Sequence, residues 1–353
     1  MPLKLLCLQG DGIGPEIMEA TLTVLNSVAP ALGQPIELAH ADIGFASLEK
    51  SGSTITPKVI DAAEAADGVI LGPVSHNAYP PREQGGLNPS GVLRKELSLF
   101  ANHRPASTWS GLEAPTRVPF DLVVMRENLE GFYADRNMHS GSGEFMPDPD
   151  TAMALRKITR DASMNIARAA FDLAETRPGK HVTAIHKANV MRVSDGLFLE
   201  CCREVAADHP QVVYDELLVD AAAAHLVRNP ARFDVLVTTN MFGDILSDLA
   251  SELSGGLGLA GSLNFGHDHA IAQAQHGSAP DIAGQDKANP VSLMLSAEML
   301  LRHLGEGRAA DLIRTAVTAA LASPETRTGD LGGALGTQAF ATHITTIIQE
   351  KLQ

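Results

Sequence analysis

Residues 235–249 read VLVTTNMFGDILSDL, and this stretch shows the pattern that decides the fold class. A short apolar run, typical of a buried strand, passes into a longer segment with the spacing of an amphipathic helix. The same alternation recurs along the chain and is typical of a mixed α/β protein. It predicts strands at residues 4–8, 68–71, 121–125, 182–185 and 235–238, and helices at residues 14–28, 150–175, 195–207, 244–251, 290–304 and 309–322.

The composition narrows the class of protein. The chain has 353 residues, of which 44% are hydrophobic and 20% are charged, as expected for a folded globular protein. Its length suits roughly two or three domains. The formal net charge of −15 repels phosphate backbones, so we expect no nucleic-acid partner. An anionic substrate would therefore need a local cluster of arginines.

The cysteines and the apolar runs predict the compartment. Cys7, Cys201 and Cys202 are odd in number and have no C-x-x-C spacing, which favours reduced thiols over disulfides or a thiolate zinc site. No run approaches the roughly 18 apolar residues of a membrane span. The N-terminal residues also lack the pattern of a signal peptide. We predict a cytoplasmic protein that does not contact membranes.

Two glycine-rich segments differ in their context. Residues 256–261, GLGLAG, match the G-x-G-x-x-G fingerprint, but they follow a predicted helix. A dinucleotide fingerprint follows a strand and opens a helix, so we predict a helix-terminating turn here and no Rossmann loop. Residues 10–16, GDGIGPE, do follow a strand and precede a helix. They fit a tight βα turn and a binding site equally well.

An aspartate pair predicts a metal site or a solvated helix face. Asp244 and Asp248 lie four residues apart, which puts both carboxylates on one face of the predicted helix. Hard oxygen ligands suit Mg²⁺ or Mn²⁺. The alternative is two solvated carboxylates, with Asp244 near the helix N-terminus, where negative charge is favoured. The spacing alone favours neither.

Several cationic and phenolic side chains are candidates for substrate chemistry. Arg126 closes an apolar strand, and a guanidinium at that place suits bidentate binding of a carboxylate. With Arg94 and Arg104 it would suit an acid with several charges. Lys187 follows another strand and could act as a base, and Tyr133 could deliver a proton. Each of these residues taken singly is more often structural.

Taken together, these segments identify the chain as a member of the β-decarboxylating dehydrogenases, which include isocitrate, homoisocitrate, 3-isopropylmalate and tartrate or D-malate dehydrogenases. The resemblance runs nearly end to end and is most specific at residues 240–248 and 276–284 (HGSAPDIAG). It implies two α/β domains around a cleft, without a Rossmann fold. Residues 1–101 and 254–353 would form the cofactor-binding domain. Residues 102–253 would form a central domain with the dimer interface, from which residues 137–149 could project as an arm.

The resemblance also implies roles for individual residues. The homodimer would share its active sites, because Lys187 and Asp220 would reach into the site of the partner subunit. The catalytic residues would be Tyr133, Lys187 and Asp220. The Mg²⁺ or Mn²⁺ ligands would be Asp220, Asp244 and Asp248. The substrate-binding residues would be Asn88, Ser90, Arg94, Arg104, Arg126 and Asn189. The cofactor-binding residues would be His276, Gly277, Ser278, Ala279, Asp281, Ile282 and Asn289.

The implied reaction is the oxidative decarboxylation of a 3-substituted (2R)-malate. Lys187, coupled to Asp220, would help to remove the C2 hydroxyl proton while hydride leaves C2 for the nicotinamide, and Tyr133 would return a proton to C3 after CO₂ is lost. A bound metal would act as a Lewis acid. Asp281 falls at the adenosine ribose, where a carboxylate accepts hydrogen bonds from hydroxyls and repels a 2′-phosphate, so we predict NAD.

The identity of the 3-substituent is less constrained. Residues 87–92, LNPSGV, lack the leucine pair of isopropylmalate enzymes, and residues 127–131, ENLEG, depart from those enzymes as well. The polar Asn88 and Ser90 favour an isocitrate- or homoisocitrate-like acid. Tartrate, D-malate and 3-isopropylmalate remain alternatives. A non-catalytic regulatory subunit is a further alternative, less favoured because the catalytic and metal residues are all present.

Overall fold

The computed structural model describes residues 2–116, 118–133 and 137–353. Its strands are β1 (Leu3–Leu8), β2 (Ile36–Ala41), β3 (Gly68–Leu71), β4 (Ala101–Ser107), β5 (Asp121–Glu127), β6 (Glu144–Asp148), β7 (Thr151–Ala154), β8 (His181–His186), β9 (Val213–Leu218), β10 (Val235–Thr238), β11 (Leu263–Phe265) and β12 (Ala270–Gln273). Its α-helices are α1 (Gly14–Ser27), α2 (Gly44–Ser51), α3 (Pro57–Glu64), α4 (Pro89–Glu96), α5 (Arg160–Thr176), α6 (Ser194–Asp208), α7 (Val219–Arg228), α8 (Asn240–Ser254), α9 (Val291–His303), α10 (Gly307–Ala322) and α11 (Thr337–Leu352). The predicted mixed α/β class is confirmed.

The first of two compact units comprises Met1–Ser98, Trp109–Ala114 and Gly255–Gln353. Its strands run in the order β2-β1-β3-β12-β11, parallel except for the β11–β12 pair. Helix α9 is buried along most of its length and packs against α1 and α10 in one apolar core. An α-helix that is apolar all round is expected at such a central place.

The second unit comprises Leu99–Thr108 and Pro115–Ser254. Its strands run in the order β4-β5-β10-β8-β9, parallel except for the β4–β5 pair. The register pairs Thr238 with Arg126 on one side and with Ile185 on the other. The residues that follow these three therefore meet at one carboxyl edge of the sheet, where sites in α/β proteins form.

Two of the differences from the sequence-based boundaries concern the helix predicted at residues 150–175 and the division between the domains. The helix predicted at residues 150–175 begins only at Arg160, because the Thr159 side chain accepts from the Ala162 N–H and caps it. The residues before it form β7, which pairs with β6 in an exposed hairpin. Strand β6 lies within residues 137–149, the predicted arm, and β7 lies beyond them. Trp109–Ala114 belongs to the first unit, since Trp109 is buried in that unit's core and Arg327 donates to the Gly111 carbonyl at 2.6 Å.

The GLGLAG segment has the context expected of a turn. Helix α8 ends at Ser254, and Gly255 and Gly256 take positive φ values of 131° and 120° before a single 3₁₀ turn. The prediction of a helix-terminating turn is therefore confirmed. Within the described residues, the helices are too short or too polar to cross a membrane.

Candidate active site

Arg126 is the centre of the site at the carboxyl edge of the second unit. Only 2% of its surface is exposed. Its Nε and Nη2 atoms donate to Asn240 Oδ1 at 2.9 and 2.7 Å, and Nη2 also donates to the Tyr133 hydroxyl at 2.7 Å. Its Nη1 atom pairs with the Asp244 carboxylate. A charged group this deeply buried needs such a full set of partners.

Arg104 brings a second buried guanidinium to the same carboxylate. It extends from β4, with Nε donating to Asn102 Oδ1 at 2.6 Å. Its Nη1 atom lies 3.3 Å from Asp244 Oδ1, 3.1 Å from Asp248 Oδ1 and 2.7 Å from Ser247 Oγ. Burial and then the nearby Arg126 charge lower the pKa of Arg104 to about 10, so it stays cationic at neutral pH.

Tyr133 completes this cluster. Its hydroxyl accepts from Arg126 and donates to Asp244 Oδ2 at 3.0 Å. The Arg126 guanidinium also lies 5.5 Å from the centre of the Tyr133 ring. Five of the sequence-predicted residues therefore form one contiguous group: Arg104, Arg126, Tyr133, Asp244 and Asp248.

The two α8 carboxylates fit a divalent cation. The side chains of Asp244 and Asp248 are 40% and 50% exposed, and a single guanidinium nitrogen of Arg104 contacts both. Both carboxylates therefore face the same cationic nitrogen of Arg104. Their hard oxygen atoms are the ligands that Mg²⁺ or Mn²⁺ prefers. Among the described residues, no group of three or more His, Cys, Asp or Glu side chains has the arrangement of a metal site.

Lys187 and Asp220 form a second group in the same unit. Lys187 directly follows β8, and its ammonium pairs with the carboxylate of Asp220 in the first turn of α7. The Lys187 hydrogen bond lowers the pKa of Asp220, which is therefore ionised at neutral pH. Asn189 lies exposed two residues further along the chain.

The first unit holds three further predicted substrate residues, and two of them donate to one amide oxygen. Gln273 Oε1 accepts from Ser90 Oγ at 2.9 Å and from Arg94 Nη2 at 3.2 Å. Asn88 caps α4, with its side chain accepting from the Gly91 N–H at 3.3 Å. Sequence reasoning missed Gln273, because it comes from β12 and lies 179 positions from Arg94 along the chain.

The predicted cofactor residues line a cavity in the first unit. Its volume is about 240 Å³, and its walls include His276, Gly277, Ala279, Ile282 and Asn289. Asp281 lies exposed on the same loop. Ser278 is buried behind it, with its hydroxyl 2.7 Å from that of Ser75.

His276, a residue of the cavity wall, has one buried ring nitrogen that makes no hydrogen bond with the described residues. Its Nδ1 lies 2.9 Å from the Gly277 carbonyl oxygen, which can only accept, so Nδ1 carries a proton. Burial lowers the pKa of His276, so the ring is neutral at pH 7 and Nε2 is an acceptor. Among the described residues, Nε2 is buried and has no hydrogen-bond partner. A buried acceptor of this kind is usually satisfied by an ordered water or by a ligand that brings a donor.

The GDGIGPE turn supports this loop from below. A Cβ on Gly12 would lie 2.0 Å from the Ser278 carbonyl oxygen, and the residue has a φ of +57°, so glycine is required there. The Ile13 N–H donates to the same oxygen at 2.9 Å. The nearby Asp11 carboxylate accepts from the Ser75 N–H at 2.8 Å and from the Tyr79 hydroxyl. The turn therefore packs against, and hydrogen-bonds to, the loop that carries the predicted cofactor residues.

Comparison with known proteins assigns the chain to the class that this fold and site define, the dehydrogenases that oxidise and decarboxylate small hydroxy acids. A family model described as isocitrate/isopropylmalate dehydrogenase matches residues 4–348, and the chain belongs to this family. The resemblance inferred from the sequence is thereby confirmed, and the protein is an enzyme.

The names of individual relatives refer to different substrates. The chain is 42% identical over 345 residues to the 3-isopropylmalate dehydrogenase of Archaeoglobus fulgidus, covering 98% of this chain and 99% of the relative. It is 41% identical over 341 residues to the mitochondrial NAD isocitrate dehydrogenase catalytic subunit 5 of Arabidopsis thaliana, covering 96% and 87%. The crystal structure of isocitrate dehydrogenase from Methylococcus capsulatus has a TM-score of 0.89 at 37% identity, covering 99% and 100%.

Proposed function

We propose that this enzyme catalyses the NAD- and divalent-metal-dependent oxidative decarboxylation of an isocitrate- or homoisocitrate-like (2R)-malate. The observation that carries the proposal is the convergence of Arg104, Arg126 and Tyr133 on Asp244. In a chain with a net charge of −15, two buried guanidinium groups beside a proton donor suit an acid with several carboxylates.

The buried arginines would orient the acid. Asn240 and Asn102 hold the Nε edges of Arg126 and Arg104, so both guanidinium planes are fixed before a ligand arrives. Donors that are fixed in advance bind carboxylates without a large cost of reorganisation. By the resemblance to the family, Arg94, which donates to Gln273, would be a further cation for the acid.

Asp244 and Asp248 would hold Mg²⁺ or Mn²⁺ together with Asp220 of the partner subunit in a homodimer. When bound, the metal supplies Lewis-acid stabilisation of the negative charge that develops as CO₂ leaves. Lys187 of the partner subunit would pass an ammonium proton to the Asp220 carboxylate with which it pairs, and as the neutral amine it would accept the proton of the C2 hydroxyl. Tyr133 would donate a proton to C3, because its hydroxyl already donates within the arginine cluster.

The cavity at His276 would bind the adenosine part of NAD. The His276 ring adds a polar group to the cavity wall, and Ile13 and Ile282 add apolar surface to it. Asp281 lies on the same loop and is exposed, as a residue that contacts the ribose would have to be. Its negative charge supports NAD over NADP.

A panel of acids tests the proposal. Isocitrate, homoisocitrate, 3-isopropylmalate, tartrate and D-malate are each added with NAD and Mn²⁺, and NADH absorbance is followed. We expect turnover with isocitrate or homoisocitrate.

We also expect Arg126→Lys to lower kcat/KM at least about tenfold, since it loses charge-assisted hydrogen bonds. Arg160→Lys is the matched control, because Arg160 is an exposed arginine paired with surface glutamates.

Two outcomes would contradict the proposal. Preferred turnover of 3-isopropylmalate, tartrate or D-malate would keep the reaction class and replace the substrate. Binding of an acid without NADH formation under any of these conditions would point to the regulatory-subunit alternative.

A further inference from the structure

Arg156 and Asp195 form an ion pair buried in the second unit that no step of the proposed reaction uses. The Asp195 side chain is fully buried and that of Arg156 is 7% exposed, with Nη1 and Oδ1 2.5 Å apart. Arg156 lies between β7 and α5, and Asp195 lies in the first turn of α6. Two charges removed from water in this way must be held in an accurate geometry, since either one alone would be strongly destabilising.

The second oxygen of Asp195 holds the backbone at the proposed catalytic lysine. The Lys187 N–H donates to Asp195 Oδ2 at 2.6 Å. This bond fixes the residue at the point where the chain leaves β8, which ends at His186. The direction in which the Lys187 side chain departs therefore depends on the position of Asp195.

Arg156 contacts the segments that carry the other reacting groups. Its Nη2 atom donates to Thr239 Oγ1 at 2.9 Å, directly before α8 begins, and its guanidinium lies 5.6 Å from the ring of Phe242 in α8. On another side it lies 5.7 Å from the ring of Phe132, the neighbour of Tyr133. One guanidinium thus touches the start of the aspartate helix, the tyrosine segment and, through Asp195, the lysine segment.

We propose that Arg156 and Asp195 are positioning residues that fix the Lys187 segment, which would serve the partner subunit's site, against the segments of Tyr133 and Asp244, which would serve the chain's own site. This inference rests on the function proposed above, because it concerns the placement of that function's reacting groups in the two sites of the dimer. The pair touches neither acid nor cofactor in this scheme and acts only through the residues that it holds. A misplacement of about 1 Å in such a group can cost about 100-fold in rate.

The chain contains a matched control at the other end of the same strand. Arg177 Nε donates to Asp234 Oδ1 at 2.5 Å, and Asp234 Oδ2 accepts from the His181 N–H at 3.2 Å, where β8 begins. This pair has the same construction as Arg156–Asp195: one carboxylate oxygen binds an arginine and the other binds a backbone N–H. It differs in lying away from Lys187, so removing it tests a purely structural role.

The experiment compares two double variants, Arg156→Met with Asp195→Leu and Arg177→Met with Asp234→Leu, in the full-length enzyme. Each removes both charges at once, so that neither is left buried and unpaired. We expect the Asp195 double variant to lower kcat by about 10- to 100-fold, with KM for NAD changed by no more than about twofold. We expect the Asp234 double variant to keep kcat within about twofold, because no reacting group depends on that end of β8.

Hydrogen–deuterium exchange supplies a readout that needs no turnover. The Lys187 amide should exchange faster in the Asp195 double variant and at the wild-type rate in the Asp234 double variant. The His181 amide should show the opposite pattern. An unchanged Lys187 amide, or equal losses of kcat in the two double variants, would overturn the inference. If the wild-type protein oxidised no acid, the proposed function would fail while the exchange result would still decide whether the pair fixes this segment.

Conservative single variants keep the test decisive if a double variant does not fold. Asp195→Asn keeps an acceptor but loses the charge that Arg156 needs, and we expect a smaller loss of kcat with partial acceleration of Lys187 amide exchange. Arg156→Lys keeps the charge opposite Asp195, and we expect the smallest loss of the series. Wild-type kcat in Asp195→Asn together with wild-type amide exchange would also refute the positioning role.

Discussion

Gly243 offers the sharpest single-residue test of the arginine cluster. It lies in the first turn of α8, where the aliphatic part of Arg126 crosses the helix backbone. A Cβ on this residue would lie 2.6 Å from Arg126 Cγ and 2.7 Å from Arg126 Cβ. The shorter distance falls about 0.8 Å short of the 3.4 Å at which ordinary contact begins. Gly243→Ala should therefore displace Arg126.

The expected losses of stability and activity follow from the contacts that a displaced Arg126 would lose. Overpacking a buried site costs about 1–3 kcal/mol of folding stability. Moving the guanidinium away from Asn240 or Tyr133 loses a hydrogen bond to a charged group, worth about 1.5–3 kcal/mol. If that bond orients the acid, kcat/KM should fall about 10- to 100-fold.

Gly196→Ala is the matched control for this substitution. Gly196 also lies in the first turn of a helix, α6, and a Cβ there meets no atom within 4 Å. Without a clash, the exchange of glycine for alanine should stabilise the fold by about 0.5–1 kcal/mol. Urea unfolding gives the stabilities, and NADH formation with the preferred acid gives kcat/KM. If Gly243→Ala were as stable and as active as Gly196→Ala, the proposed constraint on Arg126 would be wrong.

Three further predictions follow from the same structure. Burial raises the pKa of Glu127 to about 7 from a usual value near 4.5. Between pH 4.5 and 7, Glu127 therefore holds a proton in the native state that it has lost in the unfolded state. As the pH rises through this range, the free energy of unfolding of the wild type should fall by about 3 kcal/mol relative to that of Glu127→Gln. Urea titrations at each pH measure this difference. Asp248→Asn should raise the Mn²⁺ concentration for half-maximal activity at least about tenfold, because it removes one of two α8 carboxylates. The native enzyme should prefer NAD over NADP at least about tenfold in kcat/KM, and Asp281→Lys with Ile282→Tyr should reverse the preference.

Each of these three predictions has an outcome that contradicts it. A constant stability difference between Glu127→Gln and the wild type across this pH range would mean that Glu127 is ionised in the fold. An unchanged Mn²⁺ requirement in Asp248→Asn would remove that residue from the metal site. Equal use of both cofactors by the native enzyme would show that Asp281 does not face the ribose.

Much of the fold could be predicted because buried parallel strands are almost continuously apolar. The runs at residues 68–71 and 235–238 were located to the residue as β3 and β10. Strand β4 was not predicted, because its sequence, ANHRPAS, includes the polar residues Asn102 and Arg104. Those side chains are polar because they belong to the site. The feature that made β4 hard to predict from its sequence is therefore the one that gives it a function.

The site could be predicted only as far as its charged residues. The spacing of Asp244 and Asp248 within one helix makes them recognisable in the sequence. Arg126 is recognisable by its place at the end of a strand. The groups that orient them are neutral amides from other elements, such as Asn240 for Arg126 and Gln273 for Arg94. The sequence around a single amide does not indicate which arginine it will bind, because the contact forms only when a helix packs beside a strand in the fold.

Strand register matters more to this site than any single motif. Thr238 pairs with Arg126 and with Ile185, so three segments that are distant in sequence leave the sheet side by side. Lys187 follows from one of them and α8 from another. A shift of one residue in either pairing would move every side chain on that strand to the opposite face. The apolar interiors of β5, β8 and β10 prevent such a shift, and the hydrophobic core thereby sets the positions at which the reacting groups emerge.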